Sequence, residues 1–178
     1  MPYTRSASDI LAQGHVAHIA FIDDGQPVVI PFSYHFDAAV PEKLYIHGKS
    51  GGRATRRLES GDPVCVTVTL LDALVYSRTA FNHTMNYRSV VCFGHGRRVT
   101  EPEIQHAVFE RMVLRYFPGR TAGRDYSIPT PAQLAATSLV EIRIDRITAK
   151  FREGGPLGPL DSLPNAPGTA GVVDTFQK

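Results

Sequence analysis

The chain has 178 residues, enough for one domain with a core of its own and too few to expect two. A hydrophobic share of 43 % and a charged share of 20 % exclude disorder over most of the length, and a net charge of +2 falls well short of a dedicated nucleic-acid binder. No apolar run approaches the ~18 residues of a membrane span, the opening Met1–Arg5 lacks an apolar signal core, and two cysteines, Cys65 and Cys92, are too few for a disulfide framework. A reduced cytoplasm is the expected setting, with neither membrane nor nucleic acid as partner.

Ser6 and Asp9 have capping-box spacing and Gly14 is a stop, which predicts a short helix over 7–13. His15–Ile22 is β-like, and Asp23-Asp24-Gly25 turns it into Pro27–Phe36, a hairpin. A loop with Pro41 leads to a third strand, Lys43–His47, and Gly51-Gly52 opens a helix over 52–60 that Gly61 closes. Val64, Val66, Val68 and Leu70 alternate with Cys65, Thr67 and Thr69, the pattern of a half-buried strand. Leu74–Phe81 and Tyr87–Val99 read as further strands. Thr100 and Glu103 form another capping box, heading a helix over 101–117 with a broad apolar face of Ile104, Val108 and Met112 beside Phe109, Val113 and Tyr116.

Residues 118–137 read as a polar loop, and Leu139–Phe151 as a last alternating strand. The segment 154–178 is so rich in Gly and Pro that regular structure is not expected there, and it is read as an extended arm on a 1–153 domain. Six or seven strands, few helices and no βαβ alternation predict a mainly β fold, an antiparallel barrel with flanking helices.

The segment richest in chemistry is His47-Gly48-Lys49-Ser50-Gly51-Gly52-Arg53, followed by Arg56 and Arg57. It is a strand end, a Gly-rich turn and a helix start. Such a turn lets backbone N–H groups approach an anion, and Arg53 can grip phosphate oxygens in a bidentate manner. The alternative is a solvated basic helix start whose glycines serve only the turn. It is not a P-loop, because Lys43 stands where that motif needs glycine, and no dinucleotide G-x-G-x-x-G opens a helix within a βαβ unit.

A second segment is Asn86-Tyr87-Arg88-Ser89-Val90-Val91-Cys92-Phe93-Gly94-His95-Gly96. Arg88 and Ser89 sit among apolar neighbours. Either one of them enters the core or a pocket, where a buried arginine needs an anion, or alternation turns Arg88 to solvent. Gly94 and Gly96 suggest a bulge or a close backbone approach. The seven histidines lack H-E-x-x-H and the cysteines lack C-x-x-C, so no metal site is expected.

Four segments in order, Pro31-Phe32-Ser33-Tyr34, Leu44–Gly48 with the Gly-Gly-Arg helix start, Met85–Gly94 and Ala149–Pro156, resemble the flavin-nucleotide-binding branch of the pyridoxamine-phosphate-oxidase-like superfamily, which includes the nitroimidazole-resistance proteins. The resemblance spans roughly residues 5–160. It implies a homodimer of split barrels with FMN at the subunit interface and an oxidoreductase acting on a small molecule of unknown identity.

It further implies that Ile30, Pro31, Phe32 and Ser33 run along the isoalloxazine ring and that His47 and Gly48 lie near the ring or ribityl chain. Lys49, Arg53 and Ser89 hold the phosphate, with Arg88 close by. No catalytic residue is assigned. The chain has no tryptophan, whereas the true oxidase carries one near its C-terminus, so pyridoxamine-phosphate oxidation itself is not expected. A non-catalytic flavin-sensing module and a haem-binding split barrel with a histidine axial ligand are the alternatives. The homodimer is testable by light scattering at micromolar concentration, where twice the chain mass is expected and the mass of one chain contradicts it.

Overall fold

The structure, a computed structural model, describes residues 6–175. Among them the elements run α1 (Ala7–Gln13), β1 (Val16–Asp23), β2 (Gln26–Phe36), β3 (Lys43–Lys49), α2 (Arg53–Glu59), β4 (Pro63–Tyr76), β5 (Thr84–Val99), α3 (Pro102–Tyr116), α4 (Pro131–Ala135), β6 (Thr137–Arg152) and β7 (Gly171–Asp174), with a 3-10 turn at Ala80–Asn82. Every strand pairing is antiparallel, as the alternation predicts. Six strands follow one another as β1-β2-β3-β6-β5-β4, and β4 returns to β1 through His18–Ala20 against Cys65–Thr67, closing a ring.

The inward residues of this ring form the main core: Ile19 and Phe21 from β1, Leu44 and Ile46 from β3, Val66 and Val68 from β4, Val90 and Cys92 from β5, Val140 and Ile142 from β6. Two short helices add to it, α1 with Ile10 and Leu11 and α2 with Leu58, all fully buried. Each such aliphatic side chain contributes about 1.5–3 kcal/mol relative to exposure. The β1–β2 connection is a two-residue turn in which Asp24 and Gly25 take φ of 50° and 79°, the left-handed pair such hairpins need.

Several sequence expectations are corrected. Pro63–Tyr76 is one strand, interrupted only by a bulge between Leu71 and Ala73, and Phe81 lies outside it in the 3-10 turn. The residues read as a polar loop contain α4, capped by a reciprocal Thr130–Gln133 box. Thr100 does not cap α3. Proline at the first position shifts the cap to Glu101, whose carboxylate accepts the Thr100 N–H at 2.9 Å.

The Gly/Pro arm is not devoid of regular structure either, because Gly171–Asp174 pairs with Ala73–Tyr76 of β4. The arm is tied to its own chain. Asp161 accepts from the Ser77 hydroxyl at 2.9 Å and from the N–H groups of Arg78 and Gly158 at 2.8 and 2.7 Å, and Arg78 donates to the carbonyls of Ala166 and Gly168.

Gly94 and Gly96 fulfil both roles expected of them. The β5–β6 register shifts between Phe93 and Gly94, and a Cβ at Gly96 would lie 2.0 Å from the carbonyl oxygen of Leu58 in α2. Gly96→Ala must therefore push α2 off the core. We expect a loss of about 1–3 kcal/mol in urea unfolding, whereas Gly155→Ala, whose Cβ meets nothing within 4 Å, stays within about 0.5 kcal/mol of wild type.

Candidate functional site

The outer face of β2 and β3 carries the site. Strand alternation sends Leu44 and Ile46 into the ring and leaves Tyr45, His47 and Lys49 on the opposite face. On β2, Ile30 and Phe32 pack against the core while Pro31 and Ser33 are exposed. Helix α3 lies over this face and is pinned at its C-terminal end. The Tyr116 hydroxyl accepts the Tyr34 N–H at 2.9 Å and donates to the Tyr34 and His15 carbonyls, while Arg115 donates to the Leu11 carbonyl at 2.9 Å and stacks 4.8 Å over the Tyr34 ring.

Between α3, the loop that follows it and the β2–β3 face lies a cavity of about 540 Å³. Its walls are largely apolar, with Phe109, Met112 and Val113 from α3 and Ile128 from the loop. Ser33, His47 and His106 are the polar groups set among them, and the Tyr126 hydroxyl is buried beside them without a hydrogen-bond partner among the described residues. His47 meets Phe109 edge-on at 5.7 Å. Part of its ring remains open, yet the surrounding walls desolvate it and lower its pKa below the ordinary histidine value, favouring the neutral form.

Two residues beyond His47, Lys49 begins the turn. Gly48 must be small because a Cβ there would lie 2.8 Å from Thr55 Cγ2, and Gly51 has φ of 68°. The Thr55 hydroxyl closes the turn by donating to the carbonyls of Lys49 and Gly52 at 2.8 and 3.0 Å. Among the described residues Lys49 has no carboxylate partner. The arginines of α2 are more committed. Arg53 Nε lies 3.2 Å from Asp23 with its side chain 65 % exposed, Arg57 bridges Asp23 and Asp24, and Arg56 donates to the Gly51 carbonyl. Arg98, from the end of β5, donates to the Ser50 hydroxyl at 3.2 Å.

Within one chain the structure brings Ser33, His47, Gly48, Lys49 and Arg53 together at one end of the sheet, with Pro31 on the same outer face. It does not bring Arg88 and Ser89 to them. His47 pairs with Leu139 and Leu139 with Val99, so ten residues of β5, about 33 Å of strand, separate Ser89 from that end. Arg88 is buried and has its anion: Nε and Nη2 donate to Asp72 at 3.0 and 2.8 Å, and Nη1 to Gln13 of α1 at 2.9 Å. Ser89 faces outward and donates to the Lys150 carbonyl at 3.3 Å.

His106, Phe109, Tyr126 and Ile128 are cavity residues that the sequence did not single out as a site. The one available signal was the apolar face of α3, too wide for a single core. Val108 and Met112 form a small second cluster with Val99 and Leu139, against which Phe109 also packs, and Phe109, Met112 and Val113 line the cavity.

The family profile described as Pyridoxamine 5'-phosphate oxidase matches residues 4–151. The chain belongs to that family. No curated protein matches it in sequence. Among solved structures, the FAD and haem binding protein from Mycobacterium smegmatis is 32 % identical with a TM-score of 0.83, over 96 % of this chain and 82 % of that one. The flavocytochrome Anf3 from Azotobacter vinelandii is 26 % identical with a TM-score of 0.82, over 98 % and 80 %. A 5-nitroimidazole antibiotic resistance protein from Bacteroides thetaiotaomicron shares the fold at 19 % identity, with a TM-score of 0.67 over 85 % of each chain. This member of the pyridoxamine 5'-phosphate oxidase family therefore shares its fold with an FAD and haem binding protein and a flavocytochrome. No helix among the described residues is long and apolar enough to cross a membrane.

Next to the cavity His35 is buried against Tyr45, rings 6.3 Å apart, with neither nitrogen hydrogen-bonded among the described residues. Burial lowers its pKa from 6.5, and Arg111 and Arg115 lower it further against a smaller opposing pull from Asp37. The unfolded chain then binds the proton more readily than the native one. This contribution to stability is complete above pH 6.5 and is lost as the pH falls toward the native pKa. Urea midpoints measured from pH 7 to 5 are expected to fall less steeply in His35→Phe than in wild type, and equal slopes would contradict this assignment.

Proposed function

We propose that this protein binds a flavin nucleotide on the outer face of β2 and β3 and acts as a flavin-dependent oxidoreductase toward a small molecule. One observation carries the reading: His47, in the wall of a large apolar cavity, and Lys49, a cation without a carboxylate partner among the described residues, are two residues apart on one face of one strand. A flavin has the matching asymmetry, a flat apolar ring joined by a short polar chain to a phosphate.

The ring lies along Pro31, Ser33 and His47, while Ile30 and Phe32 hold the strand to the core from the other side. Gly48 and the turn amides admit the phosphate, Lys49 neutralises it, and Arg53 turns from Asp23 toward it. When bound, the flavin supplies the electron chemistry and the protein supplies position, apolar shielding and charge. The similarity to the FAD and haem binding protein of Mycobacterium smegmatis supports the class of cofactor.

We place Ser89 in the same reading through a homodimer. Its outer strand face, with Met85 and Phe93 exposed on β5, is open to a second copy that would carry it to the other subunit's turn. The thiols Cys65 and Cys92 are free, and burial pushes Cys92 up to about 12, consistent with inert core thiols in a cytoplasmic protein.

A second reading is favoured by His47 and His106 lining the same apolar cavity. A neutral imidazole is a haem ligand, and the lowered pKa of His47 keeps it neutral. The absorbance spectrum of the purified protein separates the two, with flavin bands expected, and a Soret band assigning the cavity to haem. Fluorescence titration of the flavin-free protein is expected to show Lys49→Ala weakening FMN about 10- to 100-fold, with riboflavin, which lacks the phosphate, unchanged. Failure of the wild-type protein to take up any flavin would overturn the leading reading. Bleaching of the bound flavin's absorbance by NADH or NADPH tests the oxidoreductase assignment.

A further inference from the structure

The cavity of about 540 Å³ has two unlike walls. In the flavin reading its β2–β3 wall takes the ring, through Ser33 and His47, which leaves the wall of α3 and the following loop for a second molecule. That wall is apolar, with Phe109, Met112 and Val113 from the helix and Ile128 from the loop. Among the described residues no lysine or arginine lines the cavity, and its one carboxylate, Glu110, is exposed. Tyr126 is the exception in this wall. Its hydroxyl is buried and has no hydrogen-bond partner among the described residues. A buried hydroxyl left so is a standing cost, which a ligand atom that pairs with it removes.

The segment that carries Tyr126 is built to hold it. The Asp125 carboxylate accepts the Thr121 N–H at 2.8 Å and pairs with Arg124 at 2.9 Å, and Arg120 donates to the Asp125 carbonyl. The Gly123 N–H donates to the Tyr126 carbonyl at 2.9 Å, with Gly123 at φ of 78°. Among the described residues, every hydrogen bond made by residues 118–129 stays within 117–126. The loop is thus ordered by its own bonds, and it can close on a bound molecule without breaking any bond to the barrel.

We propose that Tyr126 is the residue that reads the substrate, and that the substrate is a neutral, flat, largely apolar molecule presenting a ketone- or aldehyde-type oxygen. The inference rests on the flavin reading above. A phenol oxygen shares its lone pair with the ring and accepts weakly, so the partner its O–H calls for is an acceptor. The apolar walls suit a flat hydrocarbon body. A carboxylate or phosphate on the same body would lie among them with no lysine or arginine to pair it. Hydrocarbon walls alone discriminate weakly between molecules of one shape. A buried donor discriminates strongly, because a molecule without the acceptor leaves it unpaired.

The test titrates the flavin-loaded full chain, followed by the fluorescence of the bound flavin, with acetophenone and with α-methylstyrene. The second has a methylene in place of the ketone oxygen, and apolarity alone favours it. Wild type is expected to bind the ketone at least about tenfold more tightly than the alkene. Benzoate, with a carboxylate on the same ring, should bind at least about tenfold more weakly than the ketone. Tyr126→Phe keeps the ring in the cavity wall and removes only the hydroxyl. It should lower ketone affinity about tenfold and leave alkene affinity unchanged. A ketone preference that survives Tyr126→Phe, or an equal loss of both probes in that variant, overturns the assignment while the flavin site stands. So does wild type that binds neither probe, prefers the alkene, or takes benzoate as well as the ketone. If the chain takes up no flavin, the assignment and the reading it rests on fall together.

Discussion

The fold depends on a short seam. β1 and β4 pair over three residues on each strand, His18–Ala20 and Cys65–Thr67, and without that contact the six strands would be an open sheet with two long edges. Beyond the seam β1 and β4 part, and each gap is filled by a helix too short to be stable alone. α1 packs on β4, β5 and β6, and α2 on β1, β3, β5 and β6. Their buried residues, Ile10, Leu11 and Leu58, belong to the same core as the strands. Closing the ring, plugging it and ordering the turn after Lys49 are thus tied together, because the turn is the residues that lead from β3 into α2. The far half of β4, which β1 does not reach, is covered by β7 of the arm, so one strand is completed by two different partners.

Two arginine environments show how burial decides what a charge can do. Arg88 is almost wholly removed from water and its bonds to Asp72 and Gln13 are committed, since a charge left unpaired there would cost several kcal/mol. The bulge in β4 falls at Asp72, between Leu71 and Ala73, the position from which this carboxylate meets the guanidinium. Arg53 is different. Its contact with Asp23 is a rim ion pair, worth ~1 kcal/mol or less and easily exchanged for a phosphate. A buried cation holds the fold and a rim cation is available to a ligand. That distinction assigns Arg88 to architecture, while Lys49 and Arg53 are the cations that the reading proposed above uses.

The same contrast explains what was legible beforehand. Alternation along Val64–Leu70 and Leu139–Ile144 is a local property, and it located strands that the structure contains. Gly94 and Gly96 also announced themselves, because a glycine in a strand asks for a bulge or a close neighbour. The anion required by a buried Arg88 was foreseeable in kind but not in identity, since Asp72 reaches it only through a bulge that no local pattern marks. The Asp23–Arg53 contact depends on the hairpin turn folding back over α2, and the large cavity depends on how α3 sits over β2. β7 escaped notice because two valines between glycine-rich stretches carry almost no strand signal. They become a strand only because β4 offers an unpaired edge.

Strand β3 links these levels. Leu44 and Ile46 hold it in the core while Tyr45, His47 and Lys49 present a half-buried phenol, a cavity wall and, among the described residues, a cation without a carboxylate partner on the other face. Tyr45 shows how the register is held: its hydroxyl donates to Glu141 at 2.9 Å, a carboxylate that also takes Arg97 and Lys43, and burial with this bond raises the phenol to about 12. A slip of β3 by one residue would send His47 and Lys49 into the core and expose Leu44 and Ile46. It would also replace Gly48 at the one point where a Cβ collides with Thr55. The requirements of the core and of the site therefore coincide on seven residues, so the binding face is fixed in place by the same pairing that keeps the ring closed.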